Sequence, residues 1–223
     1  MYNSGLSQPK YSPIGVSNST VGRVFTLLGI SFLFTALGAW LSIGMGRSGF
    51  AVGAFGSFIT LMILQFAREK SPFNLILLYV FTTLEGILIG GILQSYVAAG
   101  LGGAVIDAAV TTALVSVAAG GYGATTQRNL LKFRTVLTMC LLGLIVAMII
   151  GLFIHMTGLQ IIIAGFGALL FTALLAVDMQ RVARTGRTSQ GTVILMTVSI
   201  YLDIVNLFMF ILELVGFSSR RNN

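Results

Sequence analysis

Long uncharged apolar runs, separated by single charged residues, limit what this sequence can fold into. Twenty-three uncharged residues lie between Arg23 and Arg47, and twenty lie between Arg47 and Arg68. At about 1.5 Å per residue, each run can cross the hydrocarbon core of a bilayer, about 30 Å thick. Hydrophobic residues make up 56% of the chain and charged residues 9%, so polar surface is too scarce for a water-soluble globule. The runs therefore predict an all-α integral membrane protein.

Five further apolar segments complete the set of predicted spans. The third covers residues 71–97 and is interrupted by Glu85. The remaining four lie between ionisable or turn residues, at 107–128, 134–155, 155–178 and 191–217. We expect seven transmembrane helices in a single domain, residues 21–218. A polar cytoplasmic tail, residues 1–20, precedes this domain, and a short tail, residues 219–223, follows it.

The distribution of basic residues predicts the orientation, because short cytoplasmic loops retain Lys and Arg. With the N terminus inside, ten of the thirteen Lys and Arg residues lie on the cytoplasmic side, and the exceptions are Arg47, Arg220 and Arg221. A six-span alternative with both ends inside would explain the last two, but it leaves one apolar run re-entrant or interfacial. We therefore favour seven spans. A bacterial cytoplasmic membrane is expected, because the chain is compact and has short tails.

Composition argues against several other classes of protein. In a soluble domain, the net charge of +7 would suggest nucleic acid, but basic loops explain the charge here and no nucleic-acid partner is expected. Cys140 and His155 are each the single residue of their type, which excludes an internal disulfide and argues against a zinc or haem site. Neither an HExxH nor a GxSxG motif is present, and we expect no cofactor.

Carboxylates at membrane depth require an explanation, because a charge at the centre of a transmembrane helix costs about 2.5 to 3.5 kcal/mol on insertion scales. Four acids qualify: Glu85, Asp178, Asp203 and Glu213. On the seventh span, residues spaced by three and four share one face: Ser199, Asp203, Asn206, Phe210 and Glu213. This polar stripe must point into the bundle or into a water-filled cavity, because lipid would not satisfy it.

Asp178 and Asp203 are expected to lie close together. Asp178 ends the sixth span and Asp203 lies about three turns into the seventh, so an antiparallel hairpin places both in the cytoplasmic half. Within a few Å, like-charge repulsion and desolvation favour one proton shared by the pair near neutral pH, which makes a pH sensor. Arg68, at a similar depth, is either the counter-ion or an ordinary loop residue. A purely structural role in helix packing is the alternative for the two aspartates.

Intramembrane aspartyl proteases also use two aspartates on adjacent late helices. Their Tyr-Asp and Gly-x-Gly-Asp motifs do not match, because Val177 precedes the first aspartate and Ile-Tyr-Leu precedes the second. We therefore do not expect an enzyme.

Two segments resemble a known family. Residues 199–216, SIYLDIVNLFMFILELVG, resemble the signature of the Bax inhibitor-1 family, also called the transmembrane Bax inhibitor motif family. Residues 177–180, VDMQ, are similar to the family's aromatic-Asp-x-Gln/Asn motif, with Val177 in place of the usual aromatic residue. The resemblance implies six helices surrounding a central seventh. It also implies that Asp178 and Asp203 form a di-aspartyl pH sensor and that Arg68 is the basic latch that pairs with it.

The resemblance further implies a function, since family members mediate a pH-dependent calcium leak. We expect a passive channel for calcium, with Glu85, Asn206 and Glu213 as candidates for the ion path. No fixed metal site is expected, only weak calcium contacts at Asp178, Asp203 and Glu85. The alternative is a membrane interaction protein that modulates a protease or a cell-death partner without transport. A third possibility is a proton-coupled transporter.

Overall fold

The structure is a computed structural model that describes residues 18–154 and 156–222, and this part of the chain is all-helical. Seven long helices follow one another, with a short 3-10 turn, Leu130–Phe133, before the fifth. Their bounds are α1 (Asn18–Leu41), α2 (Gly46–Ala67), α3 (Phe73–Ala98), α4 (Gly102–Thr125), α5 (Arg134–Phe153), α6 (Thr157–Arg184) and α7 (Gln190–Asn222).

Each of the seven helices contains a segment of 20 to 31 residues that is long and apolar enough to cross a membrane. The prediction of an all-α protein with seven transmembrane helices is therefore confirmed. Helix α7 continues to Asn222, through most of the residues expected to form the C-terminal tail. Most of the predicted N-terminal tail, residues 1–17, and His155 lie outside the described residues.

The outer surface of the bundle carries large apolar side chains. Phe66 is 89% exposed, Val117 is 76% exposed and Leu169 is 74% exposed. A soluble monomer rarely exposes contiguous apolar surface of this extent, whereas hydrocarbon chains solvate it well. The exposed faces of the helices are therefore lipid-facing surfaces.

Helix α7 is the most deeply buried span. It packs against α1, α3, α4 and α6, whereas α2 packs chiefly on α3, and α5 packs chiefly on α6. The central position of α7 agrees with what the family resemblance implies. A complete ring of six helices around it is not confirmed, because α2 and α5 join the bundle mainly through their neighbours.

Tyr201 fixes the rotation of α7 about its axis. This side chain is fully buried, and its Oη lies 2.8 Å from Oγ1 of Thr35 on α1. Its ring packs against Phe32 and Phe81, with ring centroids 5.4 and 5.8 Å away. Asp203 is two residues further on, about 200° around the helix. With Tyr201 held between α1 and α3, Asp203 is turned away from both, toward α5 and α6.

Helices α1 and α3 cross at glycines. A Cβ atom added at Gly38 would overlap the carbonyl group of Thr83, and one added at Gly86 would overlap the backbone of Thr35. Lipid supplies little hydrophobic drive for helix association, so membrane helices gain stability from close van der Waals contact between their backbones. The two glycines make that contact possible here.

Replacing Gly86 by valine is expected to lower the free energy of unfolding by about 1 to 3 kcal/mol, the usual cost of overpacking. Gly91→Val is the matched control, because a Cβ at Gly91 on the same helix meets nothing within 4 Å. Unfolding in detergent micelles measures both variants. Equal losses of stability would contradict the close crossing of α1 and α3.

Candidate functional site

The loops that follow α2, α4 and α6 meet at one end of the bundle, hereafter the basic end. Ser189 in the α6–α7 loop donates a hydrogen bond to Oε1 of Glu69 in the α2–α3 loop, at 3.1 Å. Arg184, the last residue of α6, donates to the carbonyl of Thr126 in the α4–α5 loop, at 3.3 Å. The basic end also carries other cationic side chains: Arg68, Lys70, Arg128, Lys132, Arg181 and Arg187. Helices α6 and α7 pack as the expected antiparallel hairpin.

Asp178 on α6 is ion-paired with Arg134, the first residue of α5. Nη1 of Arg134 lies 3.2 Å from Oδ1 of Asp178 and donates a hydrogen bond to it. The Asp178 side chain is 10% exposed and that of Arg134 is 41% exposed. The guanidinium group therefore joins a buried carboxylate to the surface of the basic end. A carboxylate removed from water needs a partner of this kind.

Asp203 on α7 is buried, and no ion pair reaches it from the described residues. The residue is 6% exposed, and no hydrogen-bond donor among the described residues reaches its Oδ2. Asp178 and Arg134 are the charged groups whose fields act on it. Asp203 also lines a cavity of about 380 Å³ between α5, α6 and α7, together with Ser199 and Asn206. A buried carboxyl group beside a cavity can bind a proton, a water molecule or a cation.

A larger cavity, about 530 Å³, continues along α7 away from the basic end. The two cavities meet at four shared lining residues: Met148, Leu202, Asn206 and Phe210. The polar residues that line the larger cavity come from α3, α6 and α7: Glu85, Tyr96, Gln160, Asn206, Glu213 and Arg220. At the end of this cavity away from the basic end, the guanidinium group of Arg220 lies 6.0 Å from the centre of the Tyr96 ring.

The structure brings together the residues that the sequence suggested for an ion path. Glu85, Asn206 and Glu213 line the larger cavity, and Asp203 lines the smaller one beside it. The whole polar stripe of α7, from Ser199 to Glu213, therefore faces these cavities. Among the described residues, no group of three or more His, Cys, Asp or Glu side chains could hold a metal ion. The carboxylates are instead spread along the two cavities.

Arg68 has a different environment from Arg134. It directly follows α2 and is exposed, and its carbonyl accepts a hydrogen bond from Nδ2 of Asn74 at 2.6 Å. Within the described part of the chain, the ion pair of Asp178 is with Arg134. The latch role of Arg68 stays a prediction. Sequence reasoning assigned Arg134 only to a basic loop, although it is the last basic residue before the α5 apolar run, at the same end as Asp178.

Gln180 is a second residue whose role the sequence did not predict. It belongs to the VDMQ segment, and its side chain is buried on α6, 1% exposed. Its amide group makes hydrogen bonds to the loop between α4 and α5. The motif identified the residue, but no spacing within one helix indicates which loop it contacts.

Comparison with known proteins agrees with the geometry of the bundle. A family model described as "Inhibitor of apoptosis-promoting Bax1" matches residues 17–221, which include the first six helices and all but the last residue of α7. An uncharacterized protein of Lactococcus lactis, YrjE, is 31% identical over 216 residues, which cover 89% of this chain and 91% of the relative. The "Modulator of FtsH protease YccA" of Escherichia coli strain K12 is 25% identical over 209 residues, 92% of each chain.

The contribution of the Arg134–Asp178 pair can be measured with a double-mutant cycle. Arg134→Gln leaves a buried carboxylate unpaired and is expected to cost about 1 to 3 kcal/mol of unfolding free energy. The double variant with Asp178→Asn should lose less stability than the sum of the two single variants, because each single substitution already removes the ion pair. We expect a coupling of only about 1 kcal/mol, because solvent screens the half-exposed guanidinium group. Unfolding in micelles gives all four values.

Asp107→Asn supplies the control cycle for this pair, since Asp107 is an exposed carboxylate near the start of α4, far from Arg134 along the bundle. Arg134→Gln and Asp107→Asn should be additive. If Arg134→Gln and Asp178→Asn were equally additive, the ion pair would contribute nothing to the fold.

Proposed function

The chain belongs to the Bax inhibitor-1 family, and we propose that it is a calcium leak of a bacterial cytoplasmic membrane that is controlled by protons. The observation that carries the proposal is Asp203. One of its carboxyl oxygens is buried with no donor among the described residues, the residue lines a cavity that adjoins a second, acid-lined cavity, and it lies within the field of an ion-paired aspartate.

The two cavities supply the path of the proposed leak. Carboxylate and amide oxygens are the ligands that calcium prefers. Asp203 and Glu213 are ten residues apart on α7, about 15 Å at about 1.5 Å per residue, and Asn206 lies between them at the boundary of the two cavities. Oxygen ligands spread over this distance would hold the ion at several weak sites, from which it can leave again. Such a path conducts down a gradient and cannot accumulate calcium.

Asp178, Asp203 and Arg134 form the proposed gate. With one proton on the two aspartates, the three groups sum to zero charge, and Arg134 forms an ion pair with the remaining carboxylate. Without that proton, two carboxylates compete for one guanidinium group and repel each other across the contact between α6 and α7. Each state favours a different arrangement of α5, α6 and α7, and proton binding shifts the population between the two.

The orientation of the gate follows from the basic loops. Basic residues in short loops are retained in the cytoplasm, so we place the basic end and the N terminus on the cytoplasmic side. The gate then responds to cytoplasmic pH, while the larger cavity lies toward the outer face. The relative named as an inner membrane protein in another strain of Escherichia coli supports a bacterial cytoplasmic membrane.

A second candidate function rests on a different observation. The Escherichia coli relative that is named as a modulator of the FtsH protease is similar over 92% of each chain. By analogy, this chain would be an interaction protein that modulates a membrane protease without transport. Calcium flux into liposomes that contain only the purified protein separates the two functions, because a pure interaction protein gives no flux above that of empty vesicles.

The gate is tested by Asp203→Asn and Asp178→Asn in the same liposomes. Each amide fixes the charge at its position, so the calcium flux is expected to lose most of its dependence on pH across the neutral range. Asp107→Asn is the matched control, because this exposed carboxylate lines neither cavity. It should keep the wild-type profile.

Glu85→Gln distinguishes the path from the gate. This residue lines the larger cavity but not the smaller one, so the rate of calcium flux should change while its pH midpoint stays in place. Wild-type pH profiles in both aspartate variants would refute the gate, and an absence of flux from the wild-type protein would refute the leak.

A further inference from the structure

The side chain of Gln180 bridges two segments of the chain, and neither the proposed path nor the ion pair uses it. Its Oε1 accepts a hydrogen bond from the backbone N–H of Leu130 at 2.7 Å. Its Nε2 donates to the carbonyl of Arg128 at 2.7 Å and lies 3.5 Å from the carbonyl of Thr126. Both ends of this buried amide therefore bind the backbone of the α4–α5 loop.

Arg184 makes a second connection to the same loop, about one turn further along α6. Its Nη2 donates to the carbonyls of Thr126 and Arg128, at 3.3 and 3.2 Å. Backbone groups in a loop have no helical partners, so they depend on side chains or water for hydrogen bonds. Here the side chains of Gln180 and Arg184 supply hydrogen-bond partners to three backbone groups of the loop: the carbonyls of Thr126 and Arg128 and the N–H of Leu130.

The loop leads directly to the proposed gate. The 3-10 turn that begins at Leu130 ends at Phe133, and the next residue is Arg134. Helix α5 is the least buried span, and it packs chiefly on α6 and on this turn. Its own packing therefore constrains the start of the helix only weakly. The contacts of the preceding loop with α6 are therefore the stronger constraint on the position of Arg134 at the start of α5.

We propose that Gln180 and Arg184 clamp the α4–α5 loop onto α6 and thereby position Arg134 against Asp178. Gln180 is a positioning residue: it contacts the loop, and it acts on the pair through the turn at 130–133. Asp178 and Gln180 are two residues apart on α6, so the carboxylate and the clamp share one rigid support. Measurements of stability test this proposal independently of the proposed leak, whereas measurements of calcium flux rest on it.

The charged groups on the elements around Asp178 decide which of them could transmit the loss of the clamp to this carboxylate. Arg134 approaches from α5 and Asp203 from α7. Helix α4 also packs on α6; its acid, Asp107, lies near its opposite end, and Tyr122 is exposed in its last turn. The 3-10 turn that packs on α6 carries Lys132, whose ammonium group lies over the Phe133 ring, and Arg181 follows Asp178 on α6 itself. Arg134 is the group that forms the ion pair with Asp178. From α1, which touches α6 as well, the basic residue within the helix is Arg23. Loss of the clamp should therefore act on Asp178 through Arg134.

The test repeats the Arg134–Asp178 double-mutant cycle in a Gln180→Ala background. With Gln180 present, the two substitutions should be coupled by a factor of about five in the unfolding equilibrium, and without it the factor should fall below about two. Gln127→Ala is the matched control, because Gln127 is an exposed glutamine of the same loop. It should leave the coupling factor unchanged. A role of Gln180 in general packing would lower stability but would not change the coupling.

Arg184→Ala gives an independent measurement if Gln180→Ala does not fold. Arg184 is exposed, so its removal leaves the buried amide in place and should reduce the coupling factor only in part. Calcium flux is also measured in liposomes with Arg134→Gln. Both clamp variants should shift the pH midpoint of the flux in the same direction as Arg134→Gln, because all three weaken the contact between the guanidinium group and Asp178. An unchanged coupling factor in both variants would overturn the clamp. Loss of coupling together with an absence of flux from the wild-type protein would overturn the leak and keep the clamp.

Discussion

The cost of removing a carboxylate from water governs how this bundle is built. Asp178 meets that cost with a guanidinium group that reaches it from the start of α5. Asp203, equally buried, finds no such partner in the part of the chain that the structure describes, and it lines a cavity instead. The two solutions lie on adjacent helices of one hairpin, so a change at either acid alters the field at the other. This coupling is the physical basis for treating the pair as a gate.

The rest of the bundle holds this pair in place. Tyr201, bound to Thr35 and packed against two aromatic rings, sets the rotation of α7 and with it the direction of Asp203. The close crossing of α1 and α3 brings together the two helices that pack against the Tyr201 side of α7. On the opposite side, α5 is only lightly packed, and Gln180 of α6 makes hydrogen bonds with the loop that precedes it. The polar stripe of α7, with Asp203, Asn206 and Glu213, lines the cavities on the side away from Tyr201.

The architecture was largely predictable because charge is so rare in this chain. Single charged residues marked the ends of the spans, and the spacing of three and four along the seventh span placed Asp203, Asn206 and Glu213 on one face. Both signals are local in sequence. The partner of Asp178 was not predictable in this way, because Arg134 reaches it from another helix across 44 positions of the chain. Loop charge indicated only that several arginines, Arg68 among them, lie at the same end.

The central claim is that a proton bound at the Asp178–Asp203 pair controls the passage of calcium. Infrared spectra of the protein in liposomes, recorded as a function of pH, can detect the carbonyl stretch of a protonated carboxyl group. The predicted result is a signal that disappears in Asp203→Asn and whose midpoint coincides with the pH midpoint of calcium flux in the same liposomes. A signal that survives in Asp203→Asn, or a flux midpoint that lies where the carboxyl signal does not change, would contradict it.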